Sequence, residues 1–187
     1  MRFVSLFAGI GGIDLALESM GGRCVWHAEY DPAPSAVLAA HWPHVPNLGD
    51  ITTAPWATGG DAMCSRVDVI AAGYPCQPFS QAGLRKGSDD ERHLWPHVLA
   101  AITDLRPRYA LLENVRGHLT LGFAEVLADL ARIGFDAEWG VMGAATVGAC
   151  HRRDRLWVAA TNTDDRGRGG WSERYESGMA GRDGVPG

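Results

Sequence analysis

The sequence predicts an α/β protein built on a mostly parallel, doubly wound sheet. Two observations carry that expectation. Apolar runs of strand length alternate with helical stretches through most of the chain. Glycine, proline and carboxylate residues cluster just after those runs, where open α/β sheets place their chemistry. Six or seven strands can be counted, and 187 residues suffice for one domain that buries roughly 70% of its unfolded surface.

The first strand is Phe3 to Phe7, followed by the glycine turn Ala8-Gly9-Ile10-Gly11-Gly12 and an amphipathic helix from Ile13 to Met20. Such a turn lets a ligand touch main-chain N–H groups at a helix N-terminus. It lacks the full spacing of a dinucleotide site, and glycine turns that bind nothing are common. The second strand, Gly22 to Ala28, ends at Glu29-Tyr30-Asp31. An acid about 20 residues beyond the glycines is placed to accept hydrogen bonds from a ribose, and Tyr30 can stack on an adenine. Without the glycines, Glu29 reads as a solvated strand-end carboxylate.

Asp31 and Pro32 fit the N-cap and first position of a helix from Ala33 to Trp42. Residues Asn47 to Ile51 read as the end of a third strand. Asp50 there either meets an adenine amino group or closes a turn.

Val67 to Ala72 has the length and branching of a buried strand, and it feeds Gly73-Tyr74-Pro75-Cys76-Gln77-Pro78-Phe79-Ser80. Two prolines fix the backbone on either side of Cys76 and Gly73 permits close approach, so the loop is pre-shaped to present a thiol. The alternative is a small buried hydrophobe. The polar stretch from Ser80 to Arg92 reads as a loop able to close over a ligand, with Arg85, Lys86 and Arg92 as candidate phosphate contacts. An ordinary exposed charged loop explains it equally.

A helix from about His93 to Leu105 leads to the strand Tyr109 to Val115, which carries Glu113 and Asn114. If the strands are parallel, Glu113 shares an edge with Cys76: a proton donor beside a nucleophile. The helix Leu121 to Ile133 and the strand Phe135 to Met142 follow. Last come His151-Arg152-Arg153-Asp154-Arg155 and the strand Leu156 to Ala160. Alternation puts Arg153 and Arg155 on one face, suited to an anionic or carbonyl-bearing ligand, or simply an exposed basic edge.

Composition narrows the classes. Four cysteines without a CxxC pair suggest neither a zinc site nor a disulfide framework, hence a reduced, intracellular setting. The chain begins in a strand pattern without a signal-peptide core and no apolar run approaches the ~20 residues that span a bilayer. A soluble, cytoplasmic protein with no membrane partner is expected. A net charge of −5 argues against non-specific coating of nucleic acid. Lys86 is the one lysine among 17 basic residues, a bias that suits phosphate recognition but also follows from a GC-rich genome.

Taken in order, Phe7-Ala8-Gly9-Ile10-Gly11-Gly12, Glu29, Gly49-Asp50-Ile51, Pro75-Cys76-Gln77, Glu113-Asn114-Val115 and the arginine pair resemble the DNA (cytosine-5)-methyltransferases, especially phage and bacterial modification enzymes. The resemblance covers about residues 3 to 160 and implies a seven-stranded sheet of the Rossmann-like, S-adenosylmethionine-dependent methyltransferase type. It implies methyl transfer to carbon 5 of a cytosine flipped out of double-stranded DNA. In that scheme Cys76 is the nucleophile and Glu113 acts on N3 and the 4-amino group. Arg155 holds O2, Arg153 helps set the loop and phosphate, and Asn114 positions the cysteine loop. Phe7, Ala8, Gly9, Ile10, Gly11, Gly12, Glu29, Tyr30, Asp50, Ile51, Gly73, Pro75 and Leu94 match cofactor-contacting positions. Gln77, Ser80, Arg85, Lys86 and Arg92 fall where nucleic acid is met. No metal is implied.

Departures from the family pattern are Ser5 in place of an aspartate, Tyr74 in place of a commoner phenylalanine or proline, and His151 in place of glutamine. The family also continues into a target-recognition domain, whereas residues 161 to 187 read as a Gly/Arg-rich irregular tail after a catalytic domain of residues 1 to 160. Three expectations follow: a catalytic domain whose recognition half is a separate polypeptide, a catalytically impaired remnant, or a methyltransferase of the same type acting on tRNA.

Overall fold

The computed structural model describes residues 1–54, 67–75 and 94–164. Strands β1 (Arg2–Leu6), β2 (Arg23–Ala28), β3 (Val69–Ala72), β4 (Tyr109–Val115), β5 (Phe135–Gly143) and β6 (Asp154–Asn162) alternate with helices α1 (Gly12–Ser19), α2 (Pro32–His41), α3 (Trp95–Leu105) and α4 (Phe123–Arg132). They form one sheet in the order β2-β1-β3-β4-β6-β5. β2, β1, β3 and β4 pair in parallel, and β6 runs antiparallel to both β4 and β5. The crossover through α4 carries the chain past one strand position, and β6 returns to fill it.

Burial follows the strand period of two. Val4, Leu6, Ile70, Ala72, Ala110 and Leu112 point into the larger core under α3 and α4, whereas Phe3, Val69, Ala71 and Tyr109 point into a smaller one shared with Leu17 of α1. All four residues of β3 are buried, as expected of a central parallel strand covered on both faces.

The local signals read from sequence hold at the second helix, where the Asp31 carboxylate accepts from Ala33 N at 2.9 Å and Pro32 opens α2. They fail at the expected third strand. Among the described residues that segment contributes a single parallel bridge, His27 to Asn47, and the sheet has six strands. Two side chains end the pairing. Asn47 Oδ1 accepts from Glu29 N and Gly49 N, and Asp50 Oδ1 accepts from Thr52 N, so the backbone turns at Gly49 (φ 72°) and does not extend. Among the described residues no helix is long and apolar enough to cross a membrane.

Candidate active site

Three strand ends meet at one edge. The β3–β4 register sets Ala72 beside Leu112, which brings the next residues, Gly73 and Glu113, together. A Cβ added to Gly73 would lie 3.5 Å from Glu113 Oε2 and 3.7 Å from the Phe7 carbonyl oxygen at the end of β1. The absent side chain leaves the carboxylate open on that side. Asn114 points to the opposite face, where it is buried; its Nδ2 donates to the Tyr74 carbonyl at 3.1 Å and its Oδ1 accepts from Val115 N at 2.8 Å. One strand thus presents a carboxylate and, through the next residue, grips the backbone two positions before Cys76. Cys76 itself lies outside the described residues, as do Gln77, Ser80, Arg85, Lys86 and Arg92.

Arg155 completes the edge. In the antiparallel β4–β6 ladder it stands opposite Val115, and Glu113 stands opposite Trp157. Arg155 and Glu113 are therefore diagonal neighbours on one face, within reach of long side chains. Arg155 Nε lies 2.7 Å from Glu113 Oε1, with the two side chains 23% and 22% exposed. At that exposure the pair adds little stability, but it fixes one carboxylate oxygen and leaves Oε2 towards Gly73.

Arg153 differs from expectation. β6 begins at Asp154, and Arg153 sits before it, exposed and in a left-handed conformation (φ 34°). Strand alternation does not extend to it, so it does not share the Arg155 face by that rule. The last pair of the β5–β6 ladder is Gly143 with Asp154, and the Arg152 carbonyl accepts from Ala144 N beyond it. The chain turns there.

The glycine turn lies between β1 and α1. Phe7, Gly9 and Gly11 all have positive φ. A Cβ at Gly9 or Gly12 would meet nothing within 4 Å, whereas one at Gly11 would fall 2.4 Å from the Trp42 ring. Gly9 and Gly12 thus border open space, while Gly11 is needed for packing. Glu29 closes this region: Oε2 accepts from Gly9 N at 2.8 Å and Oε1 from Asp31 N at 2.9 Å. Each oxygen retains a lone pair for a further donor. Tyr30 is 77% exposed beside it, and Ile10 is exposed as well. Asp50 is half-buried in its turn, Ile51 is buried in the core, and Leu94 packs half-buried at the start of α3. Open space at the glycines, a strand-end acid and an exposed aromatic suit a ligand with ribose hydroxyls and a flat base.

The model of the C-5 cytosine-specific DNA methylases matches residues 1–177. The chain belongs to this family. It is 35% identical over 169 residues to the type II methyltransferase M.BsuFI of Bacillus subtilis, covering 88% of this chain and 40% of that protein. To the type II methyltransferase M.HhaI of Haemophilus parahaemolyticus it is 31% identical over 169 residues, 88% of this chain and 50% of that protein. The chain thus spans half or less of these relatives. Its fold is similar to that of the S. pombe Dnmt2 methyltransferase, with a TM-score of 0.73 at 24% identity over 91% of this chain and 53% of that one.

A second carboxylate cluster lies in the core. Ser5 Oγ donates to Asp14 Oδ2 at 2.9 Å. Asp14 Oδ1 lies 3.0 Å from His27 Nε2 and 3.7 Å from Cys24 Sγ. Sequence reading missed Asp14 and His27, because a polar residue on an apolar face is counted as surface. The signal was there in the position of Asp14 three residues before the buried Leu17 on α1. All four side chains are buried. Burial, then the neighbouring Asp14, pushes the Cys24 thiol far above the ordinary range, so it stays protonated. With Asp14 already bonded to Ser5 and His27, the cluster is a core network and not an open ligand shell, although its ligand atoms lie within 4.8 Å of one another.

Proposed function

We propose that this chain transfers a methyl group from S-adenosylmethionine to carbon 5 of cytosine in DNA, through a transient bond between Cys76 and carbon 6. The observation that carries the reading is Glu113, tied by Arg155 at 2.7 Å through one oxygen and facing Gly73, at the root of the cysteine loop, through the other.

Carbon 5 of cytosine is a poor nucleophile until the ring is activated. Cys76, as thiolate, adds to carbon 6, and the displaced electron pair moves towards N3. Glu113 meets that charge by protonating or hydrogen-bonding N3 while accepting from the 4-amino group, and Arg155 stabilises O2. Carbon 5 becomes enamine-like. S-adenosylmethionine, when bound, would supply an electrophilic sulfonium methyl for carbon 5, the carbon–sulfur bond pair staying on sulfur as a neutral thioether. Loss of the carbon 5 proton to a base then expels the Cys76 thiolate and restores the aromatic ring.

Phe7, Gly9 and Gly12 would accept the cofactor closely, Glu29 would take its ribose hydroxyls, Tyr30 would stack on its adenine and Asp50 would meet the adenine amino group. The target atoms are inaccessible in a stacked duplex, so the cytosine is flipped out. Arg85, Lys86 and Arg92 are the candidate phosphate contacts, beside Gln77 and Ser80. Arg153, exposed next to β6, would help set the loop and meet a phosphate.

The test is calorimetric titration with S-adenosylmethionine, paired with transfer of a labelled methyl group to cytosine-containing DNA. Binding, and label recovered as 5-methylcytosine, support the reading. No heat at millimolar cofactor, or label recovered on adenine, overturns it.

A further inference from the structure

Tyr74 is held at two points by the segment that follows β4. Its carbonyl accepts from Asn114 Nδ2 at 3.1 Å, and its hydroxyl lies 2.9 Å from His118 Nε2. His118 belongs to the 3₁₀ turn Arg116–Thr120, which leaves β4 directly. The tautomer follows from the other nitrogen. Nδ1 is 2.8 Å from the Leu121 carbonyl oxygen, which can only accept, so Nδ1 carries the proton. In the neutral ring Nε2 is then the acceptor, and the Tyr74 hydroxyl donates to it.

Both side chains are buried, at 4% and 2% exposure. The Tyr74 ring also packs 5.4 Å from that of Trp95 on α3, whose indole N–H donates to Asp129 Oδ2 at 2.8 Å. The His118 ring packs 5.9 Å from Phe123 on α4. The residue two positions before Cys76 is therefore clamped through backbone and side chain by the same short segment that presents Glu113.

From this geometry, and resting on the reading of Cys76 as nucleophile, we infer that Tyr74 and His118 are a matched pair of positioning residues: they hold the cysteine loop in register with Glu113 without touching the base. The pairing follows from the cost of buried polar groups. Removing one partner withdraws a buried hydrogen bond from the other, so the two losses overlap and do not add. Tyr74→Phe and His118→Leu should each be harmful alone, and the double variant no worse than His118→Leu, which also costs the Leu121 carbonyl its donor.

The experiment compares the full chain with Y74F, H118L and the double variant by two readouts. Amide hydrogen exchange in peptides covering residues 73–76 reports the hold on the loop. It should accelerate on the order of tenfold in each single variant and no further in the double variant than in H118L. Methyl transfer should follow the same pattern, with kcat reduced about tenfold in the singles, KM for S-adenosylmethionine unchanged, and kcat in the double no lower than in H118L. Unchanged exchange in the singles, or a double variant as impaired as the two losses combined, overturns the pairing whether or not the chain is active. Faster exchange with undiminished kcat overturns its role in the chemistry. The expected exchange pattern in a chain that transfers no methyl group removes the nucleophile reading, and the positioning role with it.

Discussion

Two carboxylates, Asp14 and Glu113, show how one sheet uses the same functional group for opposite ends. Asp14 is fully buried, and its oxygens are taken by Ser5, His27 and the Cys24 thiol. Glu113 is 22% exposed, has Arg155 on one oxygen and faces the missing side chain of Gly73 with the other. A carboxylate whose valences are filled by the protein ties α1 to β1 and β2. One that keeps a reachable oxygen can exchange a proton with a ligand. Cys24 is sealed in the core with Asp14.

If that division is right, Glu113→Gln should have the largest effect. It keeps the shape and loses the acid, so kcat for methyl transfer should fall about 10²–10⁴-fold with the melting temperature nearly unchanged. A stability loss without loss of transfer would place Glu113 with Asp14. Asp14→Ala should do the reverse, lowering unfolding free energy by about 3 kcal/mol in denaturant titration, because His27 and Ser5 lose a buried partner. Arg155→Lys keeps the charge but loses the planar fork, and a fall of about tenfold in kcat/KM is expected by steady-state assay.

The smallest effect should come from Cys24. Its folded-state thiol is raised above the unfolded one, so its contribution to stability is complete below the ordinary thiol range. That contribution declines as pH rises past the unfolded value towards the higher folded one. Melting curves from pH 7 to 10 should show a steeper alkaline decline for the native chain than for Cys24→Ala. Parallel curves would mean that Cys24 is not sealed.

What was legible in the sequence was local or periodic. The Asp31 cap, the buried β3 run and Glu113 at the end of β4 depend on neighbours a few residues away or on a period of two, and each stands where the residues suggested. What escaped depends on distant partners. Asn47 replaces a strand by bonding to Glu29, just past β2 and 18 residues away, and nothing at 47 to 51 reveals that. The antiparallel insertion of β6 between β4 and β5 is a matter of topology, invisible to strand counting. Arg153 fell to a backbone turn that alternation assumes away. Tyr74 was noticed as a departure, but its partner His118 was not, because 44 residues separate them.

The central claim is that Cys76 acts in concert with the Glu113 edge, and covalent trapping tests it most directly. DNA containing 5-fluorocytosine, whose carbon 5 carries fluorine in place of the proton that must leave, is incubated with the full chain and S-adenosylmethionine, and the adduct is mapped by peptide mass spectrometry. A stable adduct on Cys76, absent in Cys76→Ser and slowed by Glu113→Gln, is the predicted result. An adduct on another residue, or none with the native chain, would contradict the account.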